Sequence, residues 1–91
     1  MAGSRYIADA DILGAAVDME GLTILFHAAS GQTHILAPPA PQILSVLAGE
    51  EADEAEIRAR MERQFELRSD DAGALAARLA ELEAAGLLHR P

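Results

Sequence analysis

The sequence predicts an α+β domain in which a three-stranded antiparallel sheet is followed by three α-helices, the arrangement of a winged-helix-like fold. Short runs of β-branched and aromatic residues, separated by turn residues, fill the first part of the chain. Apolar residues at helical spacing fill the rest. At 91 residues the chain forms one domain. Strands first and helices after favour helices packed on one face of a small sheet.

The strands are predicted from alternating apolar residues and from the turn residues between them. The segment before the first strand is small and polar, and we expect it to be loosely held. We expect a flexible N-terminus over 1–11 and a single domain over 12–91. The expected strands of the domain are Ile12–Val17, Leu22–His27 and Gln32–Leu36, and the turns between them are Asp18–Gly21 and Ala28–Gly31. The last two strands form a hairpin. Its pairing places Leu25, His34 and Leu36 on one face and Ile24, Phe26, Thr33 and Ile35 on the other.

Three helices are expected after the sheet. The prolines over Pro38–Pro41 end the last strand and open a helix over Gln42–Ala48, with Gly49 after it. Asp53 begins the second helix, and Glu56 three residues later completes a capping box. The third helix is capped by Ser69–Asp71, carries the apolar stripe Leu75, Leu79 and Leu82, ends at Gly86, and is followed by Leu87 and Leu88, which return to the core.

Composition excludes several classes of function. Seven Arg and no Lys stand against fifteen acidic residues, so the net charge is −8. Binding to nucleic acid or to an anionic membrane depends on basic residues, so both are disfavoured. A winged-helix nucleic-acid binder is weighed, but a recognition helix needs a basic face, and the third helix carries only Arg78 against the acidic Glu81 and Glu83. The chain has no cysteine and no targeting or membrane-spanning pattern, and we expect a cytoplasmic protein.

Candidate catalytic and metal-binding residues are few. Ser30 and Ser69 occupy turn and capping positions, so no serine has the setting of a nucleophile. His27 and His34 lie on paired strands, and Asp18 or Glu20 would have to complete a metal site beside them. Two histidines covering apolar neighbours are the simpler interpretation. We therefore expect a protein without catalytic activity, metal or cofactor.

A binding surface remains. The strand Gln32–Leu36 carries no acidic, Lys or Arg side chain, and charges of this kind are what usually protects an exposed sheet edge. Such an edge beside a helix can accept an extended peptide as an added strand. Alternatively, this strand is central in its sheet or is covered within a homodimer.

Three segments together resemble the PqqD-like family: Gly21–His27, Ser30–Leu36 and Pro39–Leu44. The chain is most similar to the branch described as the HPr-rel-A system PqqD family peptide chaperone. Its Thr33-His34 pair followed by Leu36-Ala-Pro38, and the ending Leu79-x-x-Leu82-x-x-x-Gly86-Leu87, carry the resemblance, which covers residues 12–88.

The resemblance implies a winged-helix-like module of the kind that serves as a recognition element for ribosomally made, modified peptides. Such a module holds a leader-like segment between its third strand and third helix, presents it to a partner modifying enzyme and performs no chemistry itself. Carried onto this chain, the implied peptide-binding residues are Thr33, His34, Ile35, Leu36, Leu75, Arg78, Leu79 and Leu82.

Two alternatives stay open beside this interpretation. Arg78 either meets a carboxylate of the peptide or only pairs with Glu81 on the helix surface. The branch also implies an HPr-kinase-like neighbour, so the chain can instead be a homodimeric interaction subunit of a kinase-related system that docks a folded partner.

Overall fold

The computed structural model describes residues 4–65 and 72–91 and confirms the α+β fold. A three-stranded antiparallel sheet is followed by three helices, and two very short strands pair separately. The elements in chain order are β1 (Arg5–Tyr6), β2 (Ala16–Met19), β3 (Leu22–His27), β4 (Gln32–Leu36), α1 (Ala40–Leu47), β5 (Ala52–Asp53), α2 (Glu54–Phe65) and α3 (Ala72–Ala84).

The hairpin β3–β4 has the register that alternation predicts. Leu25 pairs with His34 and Ile24 pairs with Ile35, so the two predicted faces are confirmed. The connecting turn closes where the Gly31 N–H donates to the His27 carbonyl at 2.8 Å, with Gly31 at a φ of 72°. Glycine adopts this left-handed conformation without steric cost.

The first strand lies later in the chain than expected. It covers Ala16–Met19 rather than Ile12–Val17, so the turn before β3 shrinks to Glu20 and Gly21. The cause is a series of tight turns over residues 9–16, in which the Ile12 N–H donates to the Asp9 carbonyl at 3.0 Å. Ile12 is still buried, but as an anchor from a turn.

The N-terminal segment differs from the expectation of a loosely held stretch over 1–11. β1 pairs antiparallel with β5, and Ile7 exchanges backbone hydrogen bonds of 2.8 and 2.9 Å with His89. Ala8 is buried, and its N–H donates to the Leu47 carbonyl at 2.9 Å. This segment therefore joins the C-terminus to the end of α1.

Side chains reinforce the same junction. Arg5 donates to Glu51 and to Glu56 at 2.8 Å each, and these hydrogen bonds, with Glu51 first, raise the pKa of Arg5. The guanidinium of Arg90 lies 5.5 Å from the centre of the Tyr6 ring, within cation–π range. Both chain ends thus contribute to one corner of the fold.

The helices begin largely as the sequence predicts. α1 starts at Ala40 instead of Gln42, because Pro41 is accommodated in its first turn. The capping box of α2 is confirmed: the Glu56 N–H donates to Asp53 Oδ1 at 2.8 Å, and the Asp53 N–H donates to Glu56 Oε1 at 3.2 Å. The cap expected at Ser69–Asp71 lies outside the described residues.

The core lies between one face of the sheet and the helices. β3 contributes Leu25, and the C-terminal Leu87 and Leu88 are buried as expected. The predicted stripe of α3, Leu75, Leu79 and Leu82, is buried in the same cluster. Among the described residues, no helix has the length and hydrophobicity needed to cross a membrane.

Candidate functional site

A groove of about 200 Å3 lies between β4 and α3. β4 contributes His34, Ile35 and Leu36, and the chain leaving it contributes small residues and a proline that end the strand. α3 and the residues after it form the opposite wall. The remaining lining residues are Ala37, Pro38, Ala40, Arg78, Glu81, Leu82, Ala85 and Leu87.

β4 is an edge strand. Its inner side pairs with β3, and no strand from the described ranges pairs with its outer side. Alternate backbone N–H and C=O groups of an antiparallel edge strand point away from its neighbour. The side chains of β4 leave this edge free of Lys, Arg and acidic groups. The edge can therefore form a further ladder of backbone hydrogen bonds.

His34 places an unpartnered nitrogen in the wall of the groove. The side chain lies on the core side of the sheet, beside its cross-strand neighbour Leu25. Its Nε2 atom is buried without a hydrogen-bond partner. Its ring lies 6.3 Å from the His27 ring in an edge-on arrangement. His27 Nδ1 is 2.9 Å from Ser30 Oγ. A buried polar atom without a partner costs free energy, so this nitrogen lowers the stability of the fold.

Arg78 is the cationic group of the groove. Its Nη2 atom is 3.1 Å from Glu81 Oε1, in an ion pair between residues three apart on α3. Both side chains are substantially exposed, at 44% and 62%, so the pair contributes little stability. In the ligand-free chain, Arg78 therefore forms the surface pair with Glu81, which is one of the two alternatives that the sequence leaves open. A carboxylate from a ligand could replace Glu81 at small cost.

Five of the eight predicted binding residues line this groove, namely His34, Ile35, Leu36, Arg78 and Leu82. Thr33 is exposed and pairs with Phe26, which places it on the opposite face of the sheet. Leu75 and Leu79 are buried in the core and do not line the groove.

The sequence reasoning missed the C-terminal end of the groove. Glu81 and Ala85 lie three and seven positions after Arg78, so they continue its side of α3 toward Gly86. Leu87 was expected in the core, and it is both buried and part of the groove floor. Counting three and seven residues onward from Arg78, instead of following the stripe from Leu75, would have predicted Glu81 and Ala85 as groove residues.

The other candidate chemistry does not converge on one site. Asp18, weighed as a metal ligand, accepts a hydrogen bond from Thr23 Oγ1 at 2.9 Å. Within the described residues, no three His, Asp or Glu side chains are grouped in a way that would hold a metal ion. A larger cleft of about 410 Å3, lined by Asp9, Asp11 and His27, lies away from the open edge of β4.

Comparison with known proteins adds no relative: no family model, no curated protein and no solved structure matches this chain. The resemblance to the PqqD-like family therefore stays a prediction from its motifs.

Proposed function

We propose that this chain is a non-catalytic, winged-helix-like peptide-binding module. It captures an extended, leader-like segment by strand addition between β4 and α3 and presents that segment to a partner modifying enzyme. The observation that carries the proposal is the open edge of β4 beside a groove walled by α3, lined by both apolar and polar side chains. Strand addition uses both parts, because the edge supplies backbone hydrogen bonds and the groove accommodates alternate side chains.

The groove favours a particular kind of segment. Its volume of about 200 Å3 suits one large apolar side chain rather than a folded surface. Leu36, Leu82 and Leu87 supply apolar walls, whereas Arg78 supplies a cation at the rim. We therefore expect an extended segment with an aliphatic or aromatic residue near an Asp, a Glu or a terminal carboxylate.

His34 can contribute a polar contact only after its ring turns. Its Nε2 is buried, so the ring would have to turn toward the groove before a polar group of the segment could pair with it. A segment that makes this contact gains affinity, whereas one that does not leaves the nitrogen as unpaired as it is in the free chain.

The partner enzyme and the HPr-kinase-like neighbour follow only from the resemblance. The net charge of the chain, −8, favours a partner whose docking surface is basic. The same charge argues against the winged-helix nucleic-acid binder weighed above.

Selection from a displayed library tests the proposal without knowledge of the natural ligand. Random peptides of about ten residues, long enough for one strand, are selected on the immobilised chain. We expect enriched peptides to combine an apolar residue with a carboxylate. Failure to enrich any peptide would contradict the proposal.

A matched pair of variants then identifies the binding mode. Ile35→Pro removes a backbone donor from β4, and Ile35→Thr removes the same side chain but keeps that donor. Circular dichroism must show both variants folded. Strand addition predicts that the proline variant loses about tenfold or more in affinity for an enriched peptide, while the threonine variant keeps most of it. Equal affinities for the two variants would exclude β4 as the pairing edge.

Arg78→Glu gives an independent check if the proline variant fails to fold. Arg78 is exposed, so the fold does not depend on it. The reversed charge should reduce the affinity for carboxylate-containing enriched peptides, and unchanged affinity would place recognition elsewhere.

A further inference from the structure

The face of the sheet that points away from the core is apolar and exposed. We call it the outer face. Val17 and Met19 are each 58% exposed, Phe26 is 48% exposed and Ile35 is 68% exposed. Ile24 lies between Val17 and Ile35 in the register and is partly shielded by them. The residues of the outer face are Val17, Met19, Leu22, Ile24, Phe26, Thr33 and Ile35.

The outer face carries no charged side chain. An antiparallel sheet with one face in water normally alternates apolar residues inward with polar residues outward. Here β3 presents Leu22, Ile24 and Phe26 outward while Leu25 fills the core. In a chain with a net charge of −8, an uncharged face of this extent indicates a surface that is covered in the working protein.

The area of the outer face suits a weak dimer. A fully exposed aliphatic or aromatic side chain presents about 150–200 Å2. Multiplied by their exposed fractions, the five most accessible apolar residues of the outer face together expose on the order of 450 Å2. A stable interface buries about 800 Å2 on each partner, and a specific one exceeds about 1,000 Å2 in total. Two stacked outer faces reach about 900 Å2 from these side chains, which is close to the lower limit and well below the usual size, so the interface suits a weak, reversible dimer.

We infer that the outer face binds the outer face of a second copy of this chain. A partner for this surface must itself be flat and uncharged, and a second copy supplies such a surface by symmetry. Two sheets pack face to face about 10 Å apart with their strands roughly aligned. The two sheets of the dimer form a sandwich whose centre contains Ile24 from each copy.

This dimer is compatible with peptide binding, because the helices cover the other face of the sheet. Leu25 is buried with Leu79 and Leu82 of α3, so α3 and the outer face lie on opposite sides. Both grooves stay open, and the dimer presents two bound segments. The interface uses side chains of the face, unlike a dimer formed through the backbone edge of β4.

Sedimentation velocity of the whole chain tests the inference. We expect a reversible monomer–dimer equilibrium with a dissociation constant on the order of 10 µM, near the weak end for an interface of this size. Raising the salt concentration should favour the dimer, because two copies of charge −8 repel each other and salt screens that repulsion.

Val17→Lys is the diagnostic variant. Val17 is exposed on β2, away from the groove, so the folded monomer tolerates the change. The new cation reduces the net negative charge and weakens the repulsion between copies, yet burying it opposite an apolar face should raise the dissociation constant about tenfold or more. Ala59→Lys on the exposed side of α2 makes the same change in charge off the interface, so it should not weaken the dimer and should strengthen it slightly by reducing the repulsion between copies.

Two results would overturn the inference. A wild-type chain that stays monomeric up to about 300 µM does not use this face for self-association. A dimer that survives Val17→Lys, or one that Ala59→Lys disrupts equally, forms through another surface. Val17→Thr keeps the shape and replaces one methyl group with a hydroxyl, so it should weaken the dimer by a smaller factor. It serves in place of the lysine variant if that variant misfolds.

Discussion

The capping box of α2 gives a sharp test of the local structure. Asp53 is the N-cap, and its Oδ1 atom accepts the Glu56 N–H at 2.8 Å. Asp53→Ala removes this acceptor. The reciprocal bond, from the Asp53 N–H to Glu56 Oε1 at 3.2 Å, uses the backbone and remains. The substitution therefore isolates one hydrogen bond at the start of the helix.

The expected loss is about 1 kcal/mol in the free energy of unfolding, the typical value for an N-cap acceptor replaced by alanine. For a chain of this length, 1 kcal/mol lowers Tm by about 5 °C. Asp53→Asn keeps an acceptor in the same place. The substitution also removes a negative charge. The helix N-terminus stabilises that charge, whereas the neighbouring carboxylates of Glu51 and Glu54 repel it, so the two effects partly cancel. Its cost should stay below about 0.4 kcal/mol.

Urea unfolding followed by circular dichroism at 222 nm, a wavelength that reports helix, measures both variants against the wild type. We expect a lower midpoint for Asp53→Ala with an unchanged slope, and a midpoint near wild type for Asp53→Asn. If asparagine costs as much as alanine, the charge of Asp53 and not its hydrogen bond stabilises the helix, and the reasoning is refuted.

Three further predictions concern the core, the turns and the groove. Leu25→Ala should cost about 3 kcal/mol or more, because Leu25 is fully buried in the central strand; thermal unfolding measures this, and a loss below about 1 kcal/mol would contradict the packing. Gly49→Ala should destabilise more than Gly21→Ala, since both residues have positive φ but only at Gly49 would the new Cβ approach Ala10 Cβ at 3.2 Å. Equal losses in urea unfolding would show that the contact is relieved. Arg78→Glu should change stability by less than about 0.5 kcal/mol while weakening binding of an enriched acidic peptide, as titration calorimetry can show, and a large loss of stability would contradict an exposed, weak ion pair.

The sequence predicts the elements whose signals are local. Leu22–His27 and Gln32–Leu36 are found as strands because alternation and a glycine-containing turn define both strands and register. The capping box at Asp53 and Glu56 is found because its spacing fixes its geometry.

Elements that depend on distant partners are not predictable in this way. β1 contains two residues, too few for any periodicity, and it exists because β5 and the C-terminus provide partners. The first sheet strand is displaced because Ile12 contributes to the core from a turn, which its apolar character alone does not reveal.

The groove was predictable only in part. The strand side follows from the position of β4 at the edge of the sheet, so His34, Ile35 and Leu36 line the groove. The helix side required knowing how α3 is rotated about its axis. A leucine stripe shows only which side of a helix is buried. In the structure Leu75 and Leu79 fill the core, and the groove is lined by residues beside that stripe.

Strand addition at β4 is tested directly by the NMR structure of the isotope-labelled chain with one enriched peptide bound. We expect backbone contacts between the peptide and Thr33–Leu36, slowed amide exchange along that strand, and shifted signals for Arg78 and Leu82 of α3. Contacts confined to the outer face, to the cleft near Asp9, or to helix surfaces away from the groove would contradict it.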